Sequence, residues 1–412
     1  MSFRSPKALI IGGGIAGPVN AILLKKVGID ATVYEAWPHS TCVGGGLQIA
    51  PNGMHVLAKA GLADEMIRCG SICNGIEFFS QGGTSLASIN HDMARRFGQP
   101  AVNMRRSTLN AAILAKAARE GIEVVFNKRL VRIEDRADRP VAVHFEDGSS
   151  AEGDFVIGAD GVHSATRGHV IPDGPVPFDT GLVSFGGFVP RELLEVAGCG
   201  PSLFMTFGQS GFFGYGHCSP EVDGGMCWST QPDRGIDAAT FRAMDQEALR
   251  QHLQLFHAGW HEPIQQLLEA MSEIIVTSTL DIATLPTWSR GRTLLIGDAA
   301  HATSPHAGQG ASIALEDALR LAIILQQERD LGIAFQNFES ERRPRVERVV
   351  ALARRNGNQK REFSRAGAWI RDRLLKFLIP LDNTDWLFAY DATRGGVTPR
   401  PETSSQHSRQ AA

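Results

Sequence analysis

The 412-residue chain lacks a dominant charge: 41 Lys and Arg against 44 Asp and Glu leave a formal net charge of −3, with no long basic block. That excludes the electrostatic footprint of a nucleic-acid binder. Cysteine is scarce and scattered, six residues at positions 42, 69, 73, 199, 218 and 227 with no Cys-x-x-Cys pair. No disulfide framework or structural metal is expected, and a reducing cytoplasm is. No apolar stretch reaches the roughly 18 residues needed to span a bilayer, and the N-terminal residues run straight into an apolar strand without a leader pattern, so no export signal is expected. Tyrosine is limited to three residues, and no internal repeat is visible. What remains is apolar material, 43% of the chain, enough for two or three domains around sizeable cores, with a small molecule as the expected partner.

The most informative segment is Ala8-Leu-Ile-Ile-Gly12-Gly-Gly14-Ile-Ala-Gly17, an apolar run that breaks into Gly-x-Gly-x-x-Gly and resumes as a helix. Gly12 permits the strand-to-helix turn, Gly14 lets backbone approach a pyrophosphate, and Gly17 allows close helix–strand packing. The helix start at Ile15 and Ala16 adds unpaired N–H groups and a positive dipole end. A second apolar run, residues 31–34, ends on Glu35, roughly 20 residues beyond the turn, where an acid meets a ribose hydroxyl. A βαβ unit over about 7–35 is therefore predicted to bind a dinucleotide.

Beyond it come a glycine-rich loop (43–46), Leu47-Gln48-Ile49, and a helix over about 53–69. Arg105-Arg106-Ser-Thr-Leu109 opens a helix to about 119 with Ser107 or Thr108 available as cap. The alternation of strands at 130–133 and 141–145, with the Asp147-Gly148 turn after them, reads as antiparallel, and a buried strand at 155–157 follows. From about 175 to 284 the texture changes to short aromatic strands separated by glycine, a mostly antiparallel second domain. Strand 293–296 re-enters the first domain before a helix at about 310–327. The expected organisation is a discontinuous nucleotide domain (1–75, 101–174, 285–355), a second domain (76–100, 175–284), a C-terminal helical segment (356–392) and a disordered tail (393–412).

Two further motifs narrow the chemistry. Asp154-Phe-Val-Ile-Gly158-Ala-Asp160-Gly161 and Ile296-Gly297-Asp298-Ala-Ala-His301 both end a buried strand in a carboxylate, and the second leads to Ser304-Pro305-His306-Ala-Gly308-Gln-Gly310. In an open α/β sheet the carboxyl ends of strands line the ligand crevice, so the three motifs converge on one edge. In this order they resemble the single-component FAD-dependent monooxygenases of the p-hydroxybenzoate and salicylate hydroxylase type, a family that includes tetracycline-inactivating enzymes. The resemblance covers about residues 7–390. It implies an α/β fold, a Rossmann-like FAD-binding domain with a smaller, mostly antiparallel substrate domain and a C-terminal bridging helix. It also implies FAD, NADPH or NADH as co-substrate, dioxygen, an aromatic or polycyclic substrate, and hydroxylation through a flavin C4a-hydroperoxide, in a monomer or homodimer. By resemblance Gly12, Gly14, Ile15, Ala16 and Gly17 hold the pyrophosphate and Glu35 the adenosine ribose, with Gln48 and Arg106 as further FAD contacts. Asp298 takes the ribityl hydroxyls, residues 305–310 with Gly308 and Gly310 meet the flavin's pyrimidine edge, and Asp160 serves FAD and the nicotinamide cofactor. Many members carry a basic residue after the ribose-binding acid; here Ala36-Trp37 stands instead.

Simpler readings stand beside these. Asp298 also suits a helix N-cap, Arg105 competes with Arg106, and a reductase of the same fold would act without inserting oxygen. His301 reads as structural, whereas His306, beside Pro305, is an active-site candidate. In Phe212-Phe-Gly-Tyr-Gly-His217, alternation puts Phe213, Tyr215 and His217 on one face. That face suits a pocket walled by Phe185, Phe204, Met205 and Trp228, with Tyr215 or His217 accepting a phenolic proton, or else a solvated edge. Stretch 361–378 spaces Phe363, Ala366, Ile370, Leu374 and Phe377 as an apolar stripe with its Arg and Lys elsewhere, a domain-bridging helix with a solvated basic face.

Overall fold

Continuous apolar runs form the central layer, because a parallel sheet is buried on both faces. The structure is a computed structural model that describes residues 5–38, 44–90, 92–378, 385–394 and 396–397. Six strands lie side by side in the order Ser289–Arg290, Thr293–Leu295, Phe155–Gly158, Lys7–Ile11, Asp30–Tyr34, Glu123–Val125. The first pairs antiparallel and the rest are parallel. Period-two alternation sends Ala8 and Ile10 to one face, against helices Ala16–Lys26, Arg106–Arg119 and Gly310–Gln327. Leu9 and Ile11 go to the other, against Leu130, Ile133, Val141, Val143 and Phe145 of a three-stranded antiparallel cover. The strand ends are stitched together by backbone: Gly12 N–H donates to Tyr34 C=O at 2.8 Å, Ala159 to Ile11 at 2.8 Å and Ile296 to Gly158 at 2.9 Å. All three motif turns therefore share one edge.

Seven strands form a second sheet in the order Ile275–Asp281, Phe178–Val189, Gly225–Pro232, Phe212–His217, Ser202–Phe207, Gly75–Ser80, Ser85–Asn90. Its pairs are antiparallel except Ser202–Phe207 with Gly75–Ser80. One face is sealed by helices Ala238–Arg242, Gln246–Phe256 and Ile264–Ala270. The other packs on the nucleotide domain, where Leu203, Met226, Phe188, Met205 and Trp228 join a cluster with Ala50, Cys73, Ile313 and Val349. Among the described residues no helix is long and apolar enough to cross a membrane.

Several local expectations need correction. The stretch 53–69 is two helices, Pro51–Ala60 and Ala63–Cys69, because Gly61 adopts φ +75° and ends the first in a left-handed cap. Helix Arg106–Arg119 starts before Ser107 and Thr108, so neither caps it; the N-cap is Arg105, without a side-chain bond. A 28-residue helix, Leu331–Asn358, carries a buried stripe from Phe335 through Phe338, Arg342, Val346 and Val349 to Ala353 and Gly357. Its dense charge and the internal Pro344 hide that stripe in the sequence. Helix Arg365–Leu378 departs from the expected stripe in part: Arg365, Arg373 and Lys376 are exposed as expected. Ile370 and Leu374 are half exposed, whereas Arg371 is only 4% exposed and donates to the Gly208 carbonyl at 2.7 Å. The side chain of Phe377 and most of the 393–412 tail lie outside the described residues.

Candidate functional site

The glycines of the first turn differ in what surrounds them. Gly12 sits at φ +113°, and a Cβ there would lie 2.3 Å from the Ala159 carbonyl oxygen. A Cβ on Gly17 would come within 2.1 Å of the Gly12 carbonyl oxygen. Both glycines are required by backbone packing alone. Gly14 has nothing within 4 Å of its Cβ position, so that side of the loop is open at the start of the helix. Asn110, four residues after Arg106 on the neighbouring helix, donates to the carbonyls of Gly13 at 3.0 Å and Gly14 at 2.7 Å. Its amide engages the loop's carbonyls, and its sequence signal is only its spacing from Arg106. Ile15 is the helix N-cap and Ala16 its first residue. Glu35 accepts from Gly13 N–H at 2.6 Å and Trp37 N–H at 3.0 Å, holding the acid at the loop's rim.

Arg105 is already engaged: it pairs with Asp223 and lies 3.8 Å from the centroid of the Phe188 ring. Arg106 is exposed, packs its stem on Gly44 and makes no side-chain hydrogen bond among the described residues. Gln48 donates to Asn103 at 2.9 Å, and Asn103 donates to the His217 carbonyl at 3.1 Å, which ties the strand after the glycine-rich loop to the second sheet. Asp160 is taken up internally, accepting from Ser164 Oγ at 2.5 Å and from Thr166 N–H and Oγ1 at 3.0 Å each. Asp298 is the first residue of its helix, not the cap, which is Gly297 at φ +59°, and its exposed carboxylate has no hydrogen-bond partner among the described residues.

Residues 305–310 are held from behind. Pro305 opens a 3₁₀ turn closed by Gly308 at φ +62°, and the Cβ positions of Gly308 and Gly310 face open space. The first N–H groups of helix Gly310–Gln327 have no intrahelical acceptors. Beneath the turn, Asn52 donates to Gln309 at 3.0 Å and to Glu316 at 2.6 Å. Glu316 and Asp317 are fully buried with Arg342, which contacts them at 2.8 and 2.7 Å. Arg345 adds a 2.6 Å contact to Glu316. Asp317 also accepts from Gly297 N–H at 2.9 Å and meets His301 at 2.5 Å, so His301 is structural. Burial alone would raise the Asp317 pKa, but His301 and Arg342 outweigh it and hold the group down to about 2.

On the second sheet the structure places the face expected to line a pocket inside the core. Tyr215 is stacked on Phe204, centroids 5.1 Å apart, inside the core beneath the helical cover, and burial pushes its hydroxyl pKa far up. His217 Nε2 lies 3.1 Å from the Cys199 carbonyl oxygen on that same side. Phe185 belongs to this core too, and neither Tyr215 nor His217 faces the nucleotide domain. The face that does carries Phe212, Gly214 and Gly216 with Met205, Phe188 and Trp228. Gly214 is required there, because a Cβ would lie 2.4 Å from the Trp228 ring. The Tyr215→Phe variant should therefore keep wild-type turnover and coupling; a loss of more than threefold in either, at unchanged flavin content, would return the hydroxyl to the chemistry.

His306 points its ring at the long helix: a Cβ on Gly357 would sit 2.6 Å from His306 Cδ2, and Asn356 donates to the His306 carbonyl at 3.2 Å. Burial, reinforced by the charges of Lys360 and Arg361, lowers its pKa to about 2, so the imidazole is neutral.

An open phosphate loop, an acid at the ribose distance and an unbonded carboxylate at a third strand end fit a dinucleotide that spans the whole sheet edge. Opposite them lies an aromatic wall, and together they define a flavoprotein. The chain belongs to the FAD binding domain family, whose model matches residues 6–353. It is 30% identical to a 6-hydroxynicotinate 3-monooxygenase of Bordetella bronchiseptica over 94% of this chain and 95% of that one. It is 31% identical to a 3-amino-4-hydroxybenzoate 2-monooxygenase of Streptomyces platensis, covering 96% and 99%. Its fold matches Klebsiella pneumoniae HpxO complexed with FAD and uric acid, with TM-score 0.82 and 29% identity over 95% of this chain and 97% of that one.

Proposed function

We propose that the chain is an FAD-dependent monooxygenase that uses NADH or NADPH and dioxygen to hydroxylate an electron-rich aromatic small molecule. The observation that carries this reading is the facing of two surfaces. One is a sheet edge whose Gly14, Arg106, Asp298, Gly308 and Gly310 positions are open or unbonded. The other is a wall of Trp228, Met205, Phe188 and Phe212. Similarity to monooxygenases across nearly the full chain supports it. In this reading the N–H groups at Gly14, Ile15 and Ala16 hold the pyrophosphate, Glu35 the adenosine ribose, Arg106 an outer FAD oxygen and Asp298 the ribityl hydroxyls. The N–H groups at Gly308 and Gly310 face the flavin's pyrimidine edge, and Gln48 lines the near side. Asp160 acts through the turn that it caps. Bound FAD supplies the redox chemistry and the activation of dioxygen. The protein's part is to orient the aromatic ring and keep water out, which a rigid apolar sheet face does well.

The test is turnover under labelled dioxygen with NADH or NADPH. One labelled oxygen atom should enter the aromatic product, and nicotinamide oxidation should be slow until an aromatic substrate is added. A reduced product formed without oxygen would replace this reading with the reductase alternative. A chain that neither carries nor takes up FAD would remove both.

A further inference from the structure

Five cationic side chains are buried among the described residues: Arg167, Arg320, Arg342, Lys360 and Arg371. Four of them are matched. Arg167 donates to the carbonyls of Ala299 and Val162, and Arg320 pairs with Glu341. Arg342 pairs with Glu316 and Asp317, and Arg371 with Asp372 and the Gly208 carbonyl. Lys360 alone has no carboxylate and no hydrogen-bond acceptor among the described residues, although it is only 8% exposed. A ring face lies against it: Nζ lies 3.9 Å from the centroid of Phe212.

The place is as telling as the missing partner. Phe212 stands on the face that looks at the nucleotide domain, with Phe207 at 5.2 Å and Trp228 at 6.2 Å between centroids. Lys360 N–H donates to the Gly357 carbonyl at 3.0 Å, and His306 leans on that same Gly357 with its Nε2 buried and without a partner among the described residues. The charge of Lys360 is among those that depress the His306 pKa, so the two groups are electrostatic neighbours. Thus a lone cation and a lone imidazole nitrogen share one end of the aromatic wall, at the turn that leads into helix Gly310–Gln327. Burying an unpaired ammonium is costly, and a ring face returns only part of its lost hydration. A methionine would pack there more stably, so the lysine answers to something other than the stability of the free fold.

We propose that Lys360, with His306 Nε2 beside it, anchors the carboxylate of the substrate, which makes the substrate an aromatic acid. Two donors carried by adjoining segments suit a two-oxygen anion, with the ammonium taking one oxygen and the Nε2–H tautomer of neutral His306 the other. The ring attached to that carboxylate then lies along Phe212 and Trp228. This inference rests on the monooxygenase reading above for the ring's later fate, but the anion site itself stands on the geometry.

His306, from the turn, is the titratable group that feels the charge of the amine, and Arg361, the chain neighbour of Lys360, turns its guanidinium to the Thr180 carbonyl at 2.7 Å. Burial pulls the Lys360 amine down to about 7. The folded state therefore binds fewer protons than the unfolded chain between about pH 7 and 10.4. The cost of the buried charge is present below this window and is relieved as pH rises through it.

The experiment titrates benzoate, 4-hydroxybenzoate and nicotinate, each beside its carboxamide, by calorimetry into the chain with and without added FAD. At pH 6 at least one carboxylate should bind tenfold or more tighter than its carboxamide, and the preference should fade by pH 9. Lys360→Met should abolish the preference while leaving the carboxamide within twofold, Lys360→Arg should keep part of it, and Lys360→Gln should behave as the methionine variant does. Without ligand, Lys360→Met should melt above wild type at pH 6, with the gap closing by pH 10. The inference is overturned if no wild-type carboxylate is preferred, if Lys360→Met weakens acid and amide alike, or if it melts below wild type at pH 6. Failure of the monooxygenase reading would appear separately, as absent flavin or absent oxygen incorporation with the acid preference intact.

Discussion

Replacing Arg342 with methionine is expected to destabilise the nucleotide domain by about 3–5 kcal/mol, the usual cost of removing one partner from a buried ion pair. The guanidinium is fully buried between Glu316 and Asp317, and 5.3 Å from the Tyr390 ring centroid. Methionine would leave two carboxylates in the interior with only Arg345 and His301 to answer them. For a domain of this size the thermal midpoint should fall by roughly 10 °C. Because Asp317 also receives the Gly297 N–H, the turn bearing Asp298 should loosen and flavin should dissociate more readily. The measurement is thermal unfolding followed by flavin and tryptophan fluorescence in parallel. A loss below about 1 kcal/mol, as for an exposed pair, would show that the network contributes little. The acid limb gives the sign independently. Asp317 titrates near 2 when folded, against about 3.9 unfolded, so its contribution is complete above about pH 4 and lost as the pH falls towards 2. That limb should flatten in the Arg342→Met variant.

Gly17→Ala should abolish flavin retention outright. Its Cβ would fall 2.1 Å from the Gly12 carbonyl oxygen, which no rotamer can relieve, so helix and strand must separate. Overpacking of this kind costs about 1–3 kcal/mol, and here it acts on the backbone that cradles the phosphates. Asp298→Ala is the informative contrast. Its carboxylate makes no hydrogen bond among the described residues, so stability should stay within about 0.5 kcal/mol of wild type. FAD should bind roughly 2–12-fold more weakly, the equivalent of one lost hydrogen bond. Equal flavin loss in the two variants, or a destabilised Asp298→Ala, would contradict the assignment. Flavin released on denaturation and equilibrium binding of added FAD separate these outcomes.

The nucleotide edge was legible in the sequence because its causes are local. A turn glycine, a strand-terminal acid and an apolar run specify their own geometry within a dozen residues, and parallel pairing brings them to one side. The second sheet was not legible in the same way. Alternation correctly separates Phe213, Tyr215 and His217 from Phe212, Gly214 and Gly216, yet both faces of this sheet are buried. Nothing in the pattern says which one meets the helices at 238–270 and which meets the flavin domain. Lys360 carries no motif at all: it follows a helix end in a polar stretch, and its meaning comes from the missing counter-ion. Helix Arg365–Leu378 resists the same reading because its most buried charged residue, Arg371, is satisfied by carbonyls outside the helix, at Gln359 and at the distant Gly208.

The arginine network has a consequence for how the protein is made. Arg345 donates to the carbonyls of Trp386 and Leu387 at 2.9 Å each, and Arg320 to those of Ala392 and Thr393 at 3.1 and 3.3 Å. Strand Thr293–Leu295 must also slot beside Phe155–Gly158 before the sheet edge is complete. A nascent chain therefore carries its Gly-x-Gly-x-x-Gly turn out of the ribosome early but cannot finish the cleft until nearly all of the chain has followed. At roughly 5–20 residues per second, more than 350 residues separate those events, so the early strands wait tens of seconds for their partners. Flavin capture is thus a late step in biogenesis, and 3′-truncated messages should yield apoprotein that is prone to aggregate.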